Sequence, residues 1–260
     1  MRILLAPFVA VILGGAAIAG TAETASKNPP PEPPPESPLF TGSVSLGYDT
    51  TYVYRGYEVL AANGDDADHL FWGALDLNYA ISDKLTWNFN AWYASSGSAN
   101  YDELDLYTKF SYNVGPFAIG PSFRWYHYPH YPSAIDNQYE VGLELSAAPV
   151  ENLSLNFGAF YEFEAEQWYL QADASYTIKI NEVFSLVPGA TVSFIDVSSA
   201  DFGLNESDFH HVTAYLKAPI KLSSTVTLTP YVAGNFPVGD QVSDLQDPIV
   251  YGGAVLAVSF

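Results

Sequence analysis

The chain contains no cysteine. Disulfide frameworks, thiolate metal sites and thiol nucleophiles are therefore excluded, and no lipid-anchoring cysteine follows the amino-terminal segment. Positive charge is scarce as well: 9 Lys and Arg stand against 29 Asp and Glu in 260 residues, a formal net charge of −20. Nucleic acid and polyanionic ligands need a basic footprint, so this balance argues against both. Beyond the first residues there is no long apolar run, and no later segment could cross a bilayer as a helix. What the chain has in excess is apolar and aromatic surface, with 48% hydrophobic residues, 19 Tyr and 16 Phe.

The amino terminus reads as an export signal. Met1-Arg2 supplies a short positive region, Ile3 to Ile18 an apolar core, and Ala17-Ile18-Ala19 or Gly20-Thr21-Ala22 the small residues of a cleavage site. Residues 1–22 are thus expected to be a signal peptide. Residues 23–40 form a leader in which Asn28 to Pro38 is nearly all proline and glutamate, extended as polyproline. It serves either as a periplasmic spacer or as a disordered lead-in.

Residues 41–260 alternate. Phe71, Leu75, Leu77, Tyr79 and Ile81 share one parity, with Trp72, Asp76 and Asn78 on the other. Leu85, Trp87, Phe89, Ala91 and Tyr93 oppose Thr86, Asn88, Asn90 and Trp92. The pattern recurs to the end, where Val250, Gly252, Ala254, Leu256 and Val258 lead to the terminal Phe260. A period of two means strands with two unlike faces. We expect an all-β fold, a transmembrane antiparallel up-and-down β-barrel of about twelve strands, with the last strand carrying the assembly signal at Phe260. A soluble sandwich would scatter Lys and Glu over its outer face, whereas here one face is almost free of charge. Connections alternate too. Ser82 to Lys84, Val114 to Pro116, Ala148 to Asn152, Asn181-Glu182 and Leu222 to Thr225 are tight; Glu58 to Asp68, Ser95 to Glu103, Pro129 to Asn137, Asp196 to Asp208 and Pro237 to Pro248 are long. Only Glu164 to Gln167 breaks the rule. Short turns are expected on the periplasmic side and long loops outside the cell.

Charge inside the barrel segment falls at inward parity. The pore-lining set expected from it is Asp49, Arg55, Asp76, Asp105, Lys109, Arg124, Glu140, Glu144, Glu162, Asp173, Lys179 and Lys217, with the aromatics Tyr107, Tyr126 and Tyr215. Such residues line a lumen, or pair across it and plug it; both outcomes remain open for a barrel this narrow. The long loops carry many acids, which would concentrate cations at the mouth but show no ligand spacing for a bound metal. Histidines lie near the loop ends of strands; His210 and His211 follow Ser207 and Asp208 in sequence, but that neither fixes geometry nor supplies a base with its orienting acid. No catalytic residue, cofactor or metal is expected.

Three stretches resemble a bacterial porin family called TorF: Tyr52-Val-Tyr-Arg-Gly-Tyr57; Glu103-Leu-Asp-Leu-Tyr107 with Phe110-Ser-Tyr112; and Tyr126-His-Tyr-Pro129 leading to Tyr139-Glu-Val-Gly-Leu-Glu144. The likeness covers roughly residues 43 to 180. It implies an outer-membrane barrel with channel function, names no solute, and carries over Arg55 and Glu140 as inward positions. Taken together, the expected function is passive diffusion of small hydrophilic solutes, with a cation preference. The alternatives are a structural or adhesive barrel with a closed lumen and acidic surface loops, and more distantly an outer-membrane hydrolase. Expected partners are outer-membrane lipid and lipopolysaccharide, the barrel assembly machinery through Phe260, and the solutes; the sequence leaves the oligomeric state open.

Overall fold

A computed structural model describes residues 40–62, 69–96, 101–129, 137–199, 204–239 and 246–260. The expected signal peptide and nearly all of the leader lie outside the described residues, as do several of the loop acids. Twelve long strands follow in order: β1 Phe40–Asp49, β2 Leu70–Ala80, β3 Leu85–Ser96, β4 Asp102–Val114, β5 Phe117–His127, β6 Asn137–Ala147, β7 Leu153–Glu162, β8 Gln167–Tyr176, β9 Ser185–Ser199, β10 Leu204–Lys217, β11 Val226–Pro237 and β12 Ile249–Ser259. Each pairs antiparallel with its sequence neighbours, and β1 pairs with β12 from Ser43↔Ser259 to Asp49↔Gly253, so the sheet closes on itself. Closure leaves no unpaired edge, which a spanning sheet requires. At the seam, Gly42 and Phe260 exchange backbone hydrogen bonds of 3.0 and 2.9 Å, and a side chain at Gly42 would strike the Phe260 ring.

The outer face is apolar. Leu46, Leu143 and Val250 are 63%, 53% and 74% exposed, among many other large apolar side chains turned away from the lumen. Exposed aromatics gather toward the two ends: Tyr48, Phe71, Tyr93, Tyr139 and Trp168 near the long loops, and Phe40, Tyr79, Tyr112, Phe117 and Tyr176 near the short turns. An apolar belt between aromatic girdles is a surface for hydrocarbon rather than water.

Two expectations about the connections need correction. Asp196 to Asp208 is not a long loop. β9 continues to Ser199 and β10 begins at Leu204, with pairing as far as Ser199↔Leu204, because Ser-, Asn- and Asp-rich strands carry no apolar alternation. The alternation of Val44, Leu46 and Tyr48 against Asp49, Thr51 and Arg55 also predicts a first strand running on past Thr51, but the strand stops short of it. β1 ends at Asp49, and the chain then turns back into the lumen.

Candidate functional site

Residues 50–62 form a small folded unit inside the barrel mouth. Val53–Tyr54 and Tyr57–Glu58 pair as a hairpin whose turn, Arg55-Gly56, has φ values of 43° and 86°. Both turn residues are left-handed, as a two-residue hairpin with the sheet's natural twist requires. Glycine adopts this freely; for Arg55 it costs on the order of 1 kcal/mol, so surrounding contacts must hold it. One helical turn, Val59–Ala62, follows. The unit is tied to itself by Val59 N–H donating to Tyr52 O at 2.8 Å and Thr51 Oγ1 donating to Glu58 Oε1 at 2.9 Å. Tyr52, Tyr54, Tyr57, Val59 and Leu60 pack with Trp72, Ala94, Tyr101, Tyr126 and Tyr128 as the main apolar cluster. The protein's core is thus this inserted segment against the inner wall.

Six strands and one connection hold the unit. Tyr52 donates to Glu103 Oε2 on β4 at 2.7 Å, and the Tyr54 and Tyr126 hydroxyls meet at 3.3 Å on β5. Arg55 Nη2 lies 2.6 Å from Glu140 Oε2 on β6. From β10, His210 Nε2 reaches Arg55 O at 2.8 Å, and from β11 Asn235 Nδ2 donates to Gly56 O at 2.8 Å. Tyr169 on β8 lies under the Arg55 guanidinium, 4.2 Å from ring centre to Cζ. Gln246 both donates to Gly56 O and accepts from Glu58 N–H. Burial pushes the Tyr52 and Tyr54 phenols far above the ordinary tyrosine range, so both remain protonated donors. Burial disfavours the Arg55 charge, but Glu140 together with the surrounding Tyr54, Tyr126 and Tyr169 outweighs this and holds the guanidinium protonated.

Below the unit, β4 to β6 carry a charge ladder. Arg124 Nη1 donates to Glu140 Oε1 at 2.5 Å and Nη2 to Glu144 Oε1 at 3.2 Å; Lys109 Nζ reaches Glu144 Oε2 at 3.4 Å, and Tyr107 donates to Glu144 Oε1 at 3.1 Å. Glu140 and Arg124 are cross-strand partners, so their pairing follows from register.

The remaining inward carboxylates are held differently. Asp49 accepts from Trp72 Nε1 at 2.8 Å and Tyr231 at 2.6 Å. Asp76 accepts from Asn90 at 2.7 Å and Ser43 at 3.5 Å, and Asp173 accepts from Thr191 and Tyr215, each at 2.9 Å. Every donor among these is neutral. Lys217 lies with its Nζ 4.8 Å from the Tyr215 ring centre, on the Asp173 side.

Other expected pore residues fall elsewhere. Arg55 reaches the lumen from the infolded hairpin and not from the barrel wall. Glu162 accepts from the Glu164 and Ala165 N–H groups and so caps the tight β7–β8 turn. Lys179 lies past the end of β8 at the short-turn rim, paired with Glu182 at 3.0 Å with its side chain 58% exposed. Asp105 is buried beside Glu103, two residues apart on one face of β4.

Several residues that pattern reading passed over are central. At β9–β10 the register jumps: Val192 faces Val212, but Phe194 faces Phe209, so His210 and His211 together oppose Ser193. This bulge turns both histidines inward, buried to 0% and 3% exposure. Ser193 Oγ meets His211 Nδ1 at 2.7 Å, yet it also accepts from the His211 backbone N–H at 3.3 Å, so it fastens the bulge. No acid orients the histidine among its described contacts, and the pair lies sealed beneath Gly56. His69, by contrast, packs with Tyr48 and Phe71 near the end of β1. Phe160 was also missed, although its inward parity between Gly158 and Glu162 was the available signal. Side chains at Gly142 or Gly158 would overlap its ring, so these glycines let it lie flat on the wall.

No protein-family model matches the chain, and no curated protein matches it in sequence. Its fold is found among solved structures. A structure titled "KdgM porin" aligns with a TM-score of 0.53 at 12% identity, over 84% of this chain and 99% of that one. The COG4313 outer membrane channel from Pseudomonas putida F1 aligns at 0.52 and 13% identity, over 87% and 99%. A NanC porin aligns at 0.51 and 11% identity, over 84% and 98%.

Proposed function

We propose that this protein is an outer-membrane channel for passive diffusion of small hydrophilic solutes, with a preference for cations. The observation that carries the reading is the opposition of the two faces: a closed barrel, apolar outside and lined inside by carboxylates, amides, hydroxyls and a few cations. Lipid excludes charge from the outer face, so an interior this polar implies water within. Three structures with the same fold bear titles that call them porins or channels, which agrees with the reading. The TorF-like stretches fall on the infolded hairpin and on β4 to β6, where the charge ladder lies.

The cation preference comes from how inward charges are compensated. Lys109 and Arg124 are matched by Glu140 and Glu144, whereas Asp49, Asp76 and Asp173 rest on neutral donors. Carboxylates on a low-dielectric wall focus a negative potential that concentrates cations. In the same reading the long loops face outward from the cell, residues 1–22 direct export, and Phe260 engages the assembly machinery. The test is conductance in planar bilayers under a potassium chloride gradient, with protein shown to be folded by its heat-modifiable gel migration. Stepwise currents with a cation-selective reversal potential are expected. An anion-selective reversal potential would remove the preference. Silence from folded protein that also lacks the infolded hairpin would remove the channel.

A further inference from the structure

The way Arg55 is held suggests a ligand. Its guanidinium meets four groups: Glu140 Oε2 at 2.6 Å, and the rings of Tyr169, Tyr54 and Phe160 at 4.2, 5.0 and 5.2 Å. Tyr54 belongs to the hairpin itself; Glu140, Phe160 and Tyr169 belong to the wall. A carboxylate oxygen between aromatic faces is a receptor for a planar organic cation, since ring faces are negative and guanidinium is weakly hydrated. The platform is built into the barrel. Phe160 occupies space that side chains at Gly142 and Gly158 would take, with ideal Cβ atoms at 2.5 and 2.3 Å from its ring. Tyr169 stacks alongside Phe160, ring centres 6.5 Å apart.

The contact with Arg55 is not an optimal one. Glu140 Oε2 is buried and close to the guanidinium but has no aligned hydrogen bond, while Oε1 makes one with Arg124. If Arg55 leaves, Arg124 still neutralises Glu140, and Glu144 still lies between Arg124 and Lys109. The wall stays charge-paired without the hairpin. Within the hairpin, Val59 N–H still donates to Tyr52 O and Thr51 to Glu58 when its contacts to the wall are broken. We propose that Glu140, Phe160 and Tyr169 form a binding site for the guanidinium or alkylammonium head of a cationic solute, that Arg55 occupies it as a tethered stand-in, and that such a solute opens the mouth by taking its place. The inference rests on the channel reading and names the solute class that reading leaves open.

The experiment uses folded full-length protein in planar bilayers, with L-arginine amide as the probe against potassium chloride of equal ionic strength. Wild type is expected to open roughly tenfold more often with millimolar probe, the scale of one cation–aromatic contact. Arg55→Ala should conduct without the probe, and the probe should now block its current briefly and reversibly. Phe160→Leu should weaken both responses by roughly tenfold. Gly56→Val serves as the independent release variant, because its Cβ would lie 2.6 Å from His211 Nδ1 and its φ is +86°. If Arg55→Ala conducts but the probe neither opens wild type nor blocks the variant, the wall site does not take cations and the inference falls. If Arg55→Ala stays silent while Gly56→Val conducts, Arg55 is not what holds the hairpin, and the inference falls likewise. If Arg55→Ala and Gly56→Val are both silent though folded, the inference falls; if folded protein lacking residues 50–62 is silent as well, the channel reading itself fails.

Discussion

Toward the long loops, Tyr52, Tyr54 and Tyr128 are 2%, 3% and 1% exposed, and Glu103 and Glu140 are fully buried among them. Toward the short turns, Asn78, Asn88, Lys109 and Lys217 keep partial exposure, and polar groups meet as amide, hydroxyl and carboxylate. Both regions are lined by the same strands with the same alternation. The difference is thirteen residues of loop, 50–62, folded into one end. Barrel geometry supplies a polar tube; whether it is occupied is decided by a segment outside the spanning strands. Where the segment sits, charges are desolvated and every partner counts. Where it does not, water shares the work and single partners count for less.

The largest break in that contrast should come from Glu140→Ala. It leaves Arg55 and Arg124 buried without the carboxylate that serves both, and removing one side of a buried pair costs about 3–5 kcal/mol. The fall should appear as a lower urea midpoint for loss of the folded, heat-modifiable band in vesicles. Asp76→Ala, toward the short-turn end, removes an acceptor from Asn90 and Ser43 in a half-exposed setting and should cost only about 1 kcal/mol. Equal losses at the two sites would remove the distinction between the regions. An intermediate effect is expected on the outer face: Leu143→Arg puts a charge in the apolar belt and should cost about 2–4 kcal/mol by the same assay. No loss there would mean that this face does not contact lipid.

The alternation that defines the barrel was readable because lipid imposes it strictly: one charge at the wrong parity is expensive, so the pattern survives in nearly every strand. Parity alone puts Lys109, Arg124, Glu140 and Glu144 at inward positions; their pairing as a ladder depends on register. The infolding of 50–62 did not. Thr51, Val53 and Arg55 continue the period of two from β1, because a short hairpin has the same local pattern as the strand before it. Arg55-Gly56 was the turn signal that could have separated them. His210 and His211 were hidden for a different reason. A bulge adds one residue, shifts the parity and points two consecutive side chains inward, and no sequence period marks it. Phe160 sat at a readable inward parity, but the room for its ring depends on Gly142 across the sheet, a relation that only register reveals.

A smaller effect sharpens the comparison at the level of selectivity. In an Arg55→Ala background, Asp173→Asn should move the reversal potential toward zero, lowering the cation-to-anion permeability ratio by roughly twofold while leaving stability nearly unchanged. Glu144→Gln should do less to selectivity, since Lys109 and Arg124 already screen that carboxylate from the lumen. An opposite ranking would mean that paired rather than unpaired acids set the field.

The smallest effect belongs to Lys179, the one expected pore residue found at the short-turn rim. Its partner Glu182 is titrated below the ordinary glutamate range by the adjacent ammonium group, yet the side chains of the pair are 58% and 87% exposed. Water and salt screen such contacts, and the ordering of two long side chains offsets most of the attraction. Lys179→Ala should therefore leave the urea midpoint and the single-channel current unchanged within error. Because Lys179 and Arg124 carry the same charge and were assigned to the same lumen by parity, this substitution isolates position from charge. A current as sensitive to Lys179 as to Asp173 would mean that the conduction path runs past the turn rim, and that the strand ends, not the desolvated mouth, limit flow.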